Sequence, residues 1–378
     1  MTSQDEKYMQ AALKLAVKGT GSVEPNPLAG CVIVKGGQII GRGWHKNFGG
    51  PHAEINALQD CKSIGSSPQG AVMYVTLEPC CHQGKTGPCT DTIIAAKPAR
   101  VVAAMIDPSS HADGKGIEQL RQAGIEVQVG LCEGEARLLN APFIKFASTG
   151  KSWVILKWAQ SIDGKLAWAD NTTGQRWISS EQSRKDAHKL RLRVQGILVG
   201  INTVLADNPL LTPRPGKDKK PLRIVLDSKL RMPLNCKLLK TAKKIPVLVA
   251  ASYEASQANQ QKVEQITHEG AEILAVPTIN DRCDMEVLLD ELSRRGVAQL
   301  LVEGGPTVIS SFLKQGLADE IRVYIAPMIL GEKGKAGMTE LMANLSQEVN
   351  LHYVDVKRFG NDACLSGLLK KVTTKGSL

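Results

Sequence analysis

Three side chains with metal-ligand chemistry occur in the first quarter of the 378-residue chain. His52 stands in the triplet His52-Ala53-Glu54, and Cys80 and Cys89 each follow a proline. One imidazole and two thiolates can hold Zn²⁺ and leave a fourth position open for water. Zinc lowers the pKa of such a water enough to supply hydroxide near neutral pH. The set therefore predicts a catalytic zinc site, because a structural one more often has four protein ligands.

The fourth candidate in this group is Glu54, two residues beyond His52 in the first turn of an expected helix. It can face the bound water without being a ligand, take the proton of that water and deliver it to a leaving amine. Zinc nucleobase deaminases use this logic, with His-x-Glu followed by Pro-Cys-x-x-Cys. Here eight residues separate Cys80 from Cys89. Cys81 is a competing ligand, although adjacent cysteines rarely chelate one ion.

The elements that must position this site alternate between strand and helix periodicity. Residues 31–34 and 38–40 predict a hairpin, and residues 71–77, 101–106 and 125–129 predict buried strands. Helices are expected through Met9 and Leu13, near His52, after Pro88, and over residues 117–123. This order predicts an α/β/α sandwich.

A second and larger α/β domain is expected from about residue 150 onward. An amphipathic helix is predicted over residues 181–194. Strand-like runs are expected at residues 153–158, 197–199, 223–226, 246–250, 272–276, 299–302 and 321–325. Residues 131–150 form the expected boundary, which places the two domains at residues 1–146 and 147–378.

Composition and charge restrict the class of protein. We expect no membrane span and no signal peptide, because no apolar run is long enough and the first six residues are polar. Nine cysteines, an odd number, indicate free thiols or metal ligands in the cytoplasm. The net charge is +10, but residues 1–146 hold 14 Lys and Arg against 13 Asp and Glu. A near-neutral first part with few aromatic residues argues against a nucleic-acid partner.

Three motifs of the first part carry a resemblance: residues 25–30 (Pro-Asn-Pro-Leu-Ala-Gly), residues 51–54, and Glu-Pro-Cys at 78–80 with the loop to Cys89. They resemble the bifunctional riboflavin biosynthesis deaminase-reductases, a branch of the cytidine deaminase-like superfamily. The resemblance implies a phosphorylated small-molecule substrate, 2,5-diamino-6-(5-phosphoribosylamino)pyrimidin-4-one. The substrate contacts that it implies are Asn26, His45, Ala53, His82, Lys85 and Thr86.

Motifs of the second part are similar to the reductase half of the same family, whose fold is similar to dihydrofolate reductase. They begin at Lys157, Trp177, Gly200 and Val302. The resemblance implies NADPH as cofactor and hydride transfer to C1′ of the ribosyl group. The cofactor contacts that it implies are Ala159, Trp177, Thr203, Asp207, Ser228, Gly305, Pro306, Thr307, Val308, Ile309, Ser310 and Ser311. The substrate contacts that it implies are Gln175, Arg191, Leu211, Arg214 and Glu303.

Gly304-Gly305-Pro306-Thr307 is expected to follow a strand and open a helix, where a phosphate is favoured. It is not Gly-x-Gly-x-x-Gly, so a Rossmann site is not predicted. Gln175 departs from the serine that the family usually has two residues before its tryptophan. A homo-oligomer is expected, although no residue of the sequence specifies the oligomeric state.

Two other hypotheses remain open on the sequence. One is a nucleic-acid or nucleoside deaminase with an appended ligand-binding domain, which the charge distribution disfavours. The other is a zinc-stabilised sensor without activity, which the intact Glu54 disfavours.

Overall fold

A computed structural model describes residues 2–83, 87–169, 177–214, 219–335, 337–338, 342, 345 and 348–372. The described chain divides into two compact units, one ending at Gly150 and the other spanning Lys151–Lys371. Each unit has its own sheet.

The first unit is built on a five-stranded sheet in the order β2-β1-β3-β4-β5. Strand β1 is antiparallel to both neighbours, and β3, β4 and β5 are parallel. The strands are β1 (Gly30–Lys35), β2 (Gln38–Trp44), β3 (Val72–Val75), β4 (Arg100–Ala103) and β5 (Glu126–Val129).

Helices cover both faces of this sheet, because alternate strand residues point to opposite sides. Ile33, Met73 and Val101 pack against the layer formed by α2, α3 and α4. Val32 and Tyr74 pack on the opposite face, against α1, α5 and α6. The helices are α1 (Ser3–Ala16), α2 (Ala53–Ser63), α3 (Cys89–Ala96), α4 (Lys115–Gln122), α5 (Glu133–Leu139) and α6 (Ala141–Thr149).

A glycine lets α2 lie directly on strand β2. A Cβ atom at Gly43 would meet the carbonyl oxygen of Ala53 at 2.1 Å and the backbone nitrogen of Ala57 at 2.3 Å. Both distances are too short for any side chain. This contact fixes the first turn of α2, which carries His52 and Glu54, against the sheet.

The second unit is built on a nine-stranded sheet in the order β10-β9-β8-β7-β13-β6-β14-β16-β15. Its first seven strands are parallel, and β16 and β15 are antiparallel. The strands are β6 (Trp153–Ser161), β7 (Gly196–Gly200), β8 (Leu222–Leu226), β9 (Val247–Ser252), β10 (Glu272–Val276), β13 (Gln299–Val302), β14 (Glu320–Ala326), β15 (His352–Phe359) and β16 (Asp362–Leu368). A two-stranded hairpin is formed by β11 (Thr278–Ile279) and β12 (Arg282–Cys283).

Helices connect most of the parallel strands of this sheet, as parallel pairing requires. They are α7 (Glu181–Arg193), α8 (Ile201–Asp207), α9 (Lys237–Lys240), α10 (Tyr253–Ala258), α11 (Gln260–His268), α12 (Met285–Arg294) and α13 (Pro306–Lys314). Leu156, Leu198 and Leu300 of the strands form a core with Leu288 of α12 and Phe312 of α13.

The α/β class predicted from the sequence is confirmed, with every predicted strand present within a few residues of its expected ends. The prediction omitted the β11-β12 hairpin and the antiparallel pair β15 and β16. The similarity to dihydrofolate reductase stays a prediction. Among the described residues, no helix combines the length and apolar character that a membrane span needs.

Candidate active sites

The three candidate zinc ligands lie together at the ends of regular elements. His52 is the N-cap of α2, and Cys89 is the first residue of α3. The His52 Nδ1 atom lies 3.4 Å from Cys80 Sγ and 3.3 Å from Cys89 Sγ. All three ligand atoms lie within 4.8 Å of one another. The competing thiol, Cys81, points to the carbonyl oxygen of His111 at 4.0 Å and is not in this group.

These residues fit a zinc ion by both donor type and spacing. A tetrahedral ion with Zn–N near 2.0 Å and Zn–S near 2.3 Å separates nitrogen from sulfur by about 3.5 Å. The observed separations match that value. Hydrogen bonds from the Cys89 thiol and then from His52 lower the pKa of Cys80, and the same pairing raises the pKa of Cys89. Cys80 can therefore serve as a thiolate ligand at neutral pH.

Glu54 lies in the first turn of α2, where only 4% of its surface is exposed. Burial raises the pKa of Glu54 to about 7, although the nearby His52 opposes the shift. Glu54 interacts with both His52 and Cys89, so its carboxyl group borders the ligand group. A buried carboxyl at this position can hold and release a proton beside the metal.

Glu78, which was not predicted as a site residue, is a buried carboxylate two residues before Cys80 and fixes the neighbouring chain. Its oxygens accept hydrogen bonds from the backbone N–H groups of Asp107, Gly114 and Gly116 at 2.8–3.1 Å. The start of α4 and the loop before it are thereby fixed beside Pro79-Cys80. In the sequence, Glu78 could have been noticed as an acidic residue between a buried strand and a predicted zinc ligand.

His45, one of the predicted substrate contacts, lies beside the ligand group. Its ring centroid is 5.3 Å from that of His52. The side chain is buried, and its Nε2 atom has no hydrogen-bond partner among the described residues. Hydrogen bonds with the backbone of Pro27 and Asn47 connect it to the segment that contains Asn26. Burial, followed by the charge of His52, lowers the pKa of His45.

The other predicted contacts of the first unit differ in how far they are buried, and two of them are not described. Asn26 is half-buried, and Ala53 is fully buried under β2. His82 is exposed, with its ring centroid 5.7 Å from that of His111. Lys85 and Thr86 lie outside the described residues.

In the second unit, two helices begin side by side where the neighbouring strands β7 and β13 end. Gly200 is the N-cap of α8, and Gly305 is the N-cap of α13. A Cβ atom at Gly305 would lie 3.9 Å from Thr203 Oγ1, and one at Gly200 would lie 2.9 Å from Val308. Backbone N–H groups at such helix starts favour phosphate.

The remaining predicted cofactor contacts are distributed over several elements of the second unit. Ala159 lies on β6, and Ser228 follows β8, with its hydroxyl accepting a hydrogen bond from the N–H of Cys283 at 3.1 Å. Trp177 is 57% exposed, and the guanidinium of Arg184 lies 5.2 Å from its ring centroid. Pro306, Thr307, Val308, Ile309, Ser310 and Ser311 form the first two turns of α13, where the side chains of Ile309 and Ser310 are buried. Asp207 ends α8 and is exposed.

A charged pair occupies the predicted substrate site of this unit. Arg191 and Glu303 form a two-point ion pair, with Nε–Oε1 at 3.1 Å and Nη2–Oε2 at 2.6 Å. Burial would raise the pKa of Glu303, but Arg191 and Lys157 lower it to about 2. Lys157 was not predicted as a site residue, although a lysine inside an apolar strand is a signal. Burial lowers the pKa of Lys157 against the charge of Glu303.

The loop after α8 carries two more of the predicted substrate contacts, Leu211 and Arg214. Leu211 is 2% exposed and has a left-handed backbone with φ +53°. Arg214 is exposed and makes no hydrogen bond or ion pair within the described ranges. Gln175 lies outside those ranges.

Comparisons with known proteins agree with both units. A family model described as "Cytidine and deoxycytidylate deaminase zinc-binding region" matches residues 2–105. A second, described as "RibD C-terminal domain", matches residues 152–365, which is more than half of the chain.

Similar proteins match along the entire length. The riboflavin biosynthesis protein RibD of Aquifex aeolicus is 42% identical over 95% of this chain and 96% of its own. RibD of Escherichia coli K12 is 39% identical over 96% and 98%. The solved structure of Acinetobacter baumannii RibD, form 1, has a TM-score of 0.80 at 35% identity, covering 97% and 98%.

A zinc deaminase unit joined to a reductase unit defines a bifunctional enzyme that uses Zn²⁺ and NADPH. The chain belongs to the RibD family of riboflavin biosynthesis proteins. A further solved member, from Thermotoga maritima, is named as a diaminohydroxyphosphoribosylaminopyrimidine deaminase and 5-amino-6-(5-phosphoribosylamino)uracil reductase. It has a TM-score of 0.79 at 34% identity, covering 96% of this chain and 98% of its own.

Proposed function

We propose that this chain deaminates 2,5-diamino-6-(5-phosphoribosylamino)pyrimidin-4-one and then reduces the ribosyl group with NADPH. The product is 5-amino-6-(5-phosphoribitylamino)uracil. The observation that carries the proposal is the group of His52, Cys80 and Cys89 beside buried Glu54, in the same chain as a RibD C-terminal domain. We assign deamination to residues 1–146 and reduction to residues 147–378.

In the deaminase domain, His52, Cys80 and Cys89 would hold Zn²⁺, which supplies Lewis-acid activation of water when bound. Glu54 takes a proton from the attacking water and gives it to the amine that leaves C2. Its burial keeps bulk water away from the carboxyl group, and α2 fixes its direction. Cys81 is left out of the ligand set because its thiol points to His111.

The substrate of this domain would be recognised by groups around the ligand cluster. We assign the pyrimidine to Asn26, His45 and Ala53, since the free Nε2 atom of buried His45 calls for a polar partner. The phosphoribosyl group is assigned to His82, Lys85 and Thr86, and a lysine suits a phosphate as a point charge.

In the reductase domain, NADPH supplies the hydride when bound. The paired starts of α8 and α13, with Thr203 and Gly305, would hold its phosphates. The other cofactor residues named from the resemblance are assigned with them. Glu303 is anchored by Arg191 and would contact the sugar, and exposed Arg214 would supply a guanidinium for the substrate phosphate. Leu211 and Gln175 would line the same substrate.

We also infer a cytoplasmic enzyme that assembles as a homo-oligomer and has no nucleic-acid partner. All nine cysteines are free thiols, which suits a reducing compartment. Strand β15 is an edge strand, and its Val354 and Val356 are 52% and 64% exposed. Exposed apolar edges are places where a second copy can pair.

Product analysis by mass spectrometry tests the function. Zinc-loaded protein receives the phosphoribosyl diaminopyrimidine, with and without NADPH. We expect the deaminated ribosyl compound without NADPH and the ribityl compound with it. Deamination without any reduction would contradict the assignment of the second domain, and no turnover at all would contradict both assignments.

A further inference from the structure

A fully buried arginine lies at the second position of β8. Arg223 has no exposed surface. None of the carboxylates in the described part of the chain forms an ion pair with it. Burial lowers the pKa of Arg223 to about 10, so the guanidinium is still protonated at neutral pH. A buried charge without a counter-ion is costly, and its retention needs an explanation.

Backbone carbonyl groups replace the missing counter-ion. The guanidinium donates to the carbonyl oxygens of Leu238, Ile245 and Pro246, and to Thr241 Oγ1 at 2.8 Å. These acceptors belong to α9 and to the turn before β9. A fifth acceptor, the carbonyl oxygen of Leu210 at 3.2 Å from Nη1, belongs to the loop after α8.

The loop of residues 208–214 is thus held at two points by two arginines. Arg223 holds the carbonyl of Leu210, and Arg191 donates from Nη1 to the carbonyl of Thr212 at 2.9 Å. Leu211 lies between the two anchored carbonyls, with a left-handed backbone that residues with a side chain rarely adopt. The hydrogen bonds to the carbonyls on both sides help to hold this conformation.

We propose that Arg223 is a positioning residue of the reductase: it fixes Leu210 so that Leu211 and Arg214 present a preformed surface to the phosphorylated sugar substrate. The inference rests on the proposed function of the second domain. Arg191 reaches the substrate region directly through Glu303. Arg223 is fully buried, so it can act on the substrate only through the loop that it holds.

The location of the acceptors separates this role from simple helix capping. Hydrogen bonds to four of the five acceptors stabilise only α9 and the turn that follows it, so they would fit a purely structural role. The Leu210 contact also joins that segment to the middle of the substrate loop, whereas the hydrogen bond from the N–H of Lys237 to Asn208 Oδ1 at 2.7 Å holds only the start of the loop. Loss of this contact should loosen the loop and weaken substrate binding, while the cofactor helices α8 and α13 keep their own packing.

The test compares R223M and R223K with R193M, a control on α7. Arg193 is partly buried and pairs with Glu320 at 3.1 Å, and its hydrogen bonds among the described residues go to Gln299 and Glu320 and not to the loop. The full-length zinc-loaded proteins are assayed for reduction of the deaminated ribosyl pyrimidine, giving kcat and the KM of each substrate. Deamination and thermal unfolding are measured on the same samples.

For R223M we expect the KM of the pyrimidine substrate to rise on the order of tenfold, as for the loss of a charged hydrogen bond. The KM of NADPH, the rate of deamination and the substrate KM of R193M should stay within about twofold. R223K should be intermediate, because an ammonium can serve some of the carbonyls. If R223M does not fold, the test rests on R223K, whose KM for the pyrimidine substrate should still exceed that of the wild type.

Equal loss of thermal stability in R223M and R193M, with an unchanged pyrimidine KM, would overturn the positioning role and leave a structural one. Equal rises of both KM values would overturn it as well. A wild-type protein that reduces nothing would contradict the proposed function itself, and the positioning role would fail with it.

Discussion

In the first unit, the residues that would do the chemistry are close in sequence: His52 and Cys89 are 37 residues apart, and their ligand atoms are 3.3 Å apart. In the second unit, Arg191 and Glu303 meet from positions 112 residues apart. The first site is a set of side chains with recognisable chemistry. The second consists of helix starts, anchored carbonyls and one ion pair. A site of the first kind is visible in the sequence, and one of the second kind depends on the fold.

The variant with the largest expected effect, Glu54→Gln, should impair the first site and leave the second one active. Glu54→Gln keeps the shape of the side chain but removes its proton transfer, so deamination should fall by about 10²- to 10⁴-fold. Reduction of the deaminated substrate by the same protein should be unchanged, as measured by NADPH oxidation. Full deamination by this variant would disprove the role of Glu54. Equal loss of both activities would show that the two sites are not separable.

The reciprocal variant is Glu303→Gln, which leaves Arg191 facing a neutral amide. We expect kcat/KM of reduction to fall on the order of 100-fold, which corresponds to ~2.7 kcal/mol. Glu320→Gln is the matched control, since Glu320 also pairs with an arginine of α7. Thermal unfolding should change in both variants, because each leaves a partly buried arginine unpaired. Reduction that is equally impaired in the control would contradict a specific role for Glu303.

The smallest effect concerns stability of the first unit. Asp5 is buried, accepts a hydrogen bond from Tyr74 at 2.6 Å and pairs with Arg100 at 2.5 Å. Burial opposes ionisation, but these partners hold the pKa of Asp5 well below its ordinary value of 3.8. Asp5→Asn should lower the free energy of unfolding by about 1–2 kcal/mol at pH 7.

The sign of the pH dependence follows from the lowered pKa. Asp5 stabilises the fold above its ordinary pKa, and this contribution is lost as the pH falls below about 4. The difference between wild type and Asp5→Asn in denaturant titrations should therefore shrink below that pH. Glu6→Gln, an exposed neighbour, is the control and should show little difference. A constant difference down to pH 3 would contradict this account.

The sequence was sufficient for the alternating elements, because they depend on local patterns, and it singled out three side chains whose ligand atoms lie together in the structure. Buried strands such as β3 appear in the sequence as apolar runs. Few kinds of site other than a catalytic metal site need a histidine, a glutamate and a cysteine in the pattern of His52, Glu54 and Cys89. The zinc-ligand and substrate-contact assignments themselves stay predictions.

What could not be predicted depends on contacts across the chain. Nothing near Arg223 in sequence marks it as buried, because its acceptors are carbonyls that any residue provides. Glu78 was overlooked for the same reason, since it binds backbone N–H groups beyond residue 106. Strand β15 is exposed along most of its length and therefore lacks the apolar alternation that reveals a strand.

The placement of Cys80 and Cys89 has a consequence for how such an enzyme can change over time. Cys80 is held where the Glu78 carboxylate and the N–H of Thr90 fix the chain, and Cys89 begins a helix. The positions of the two sulfur atoms are therefore set by contacts outside the residues between them. Under the proposed assignment of His82, Lys85 and Thr86 to the phosphoribosyl group, exchanges in that segment would alter which substrate is accepted while both cysteines stay held. This separation makes the segment a natural target for directed evolution of new deaminase specificities.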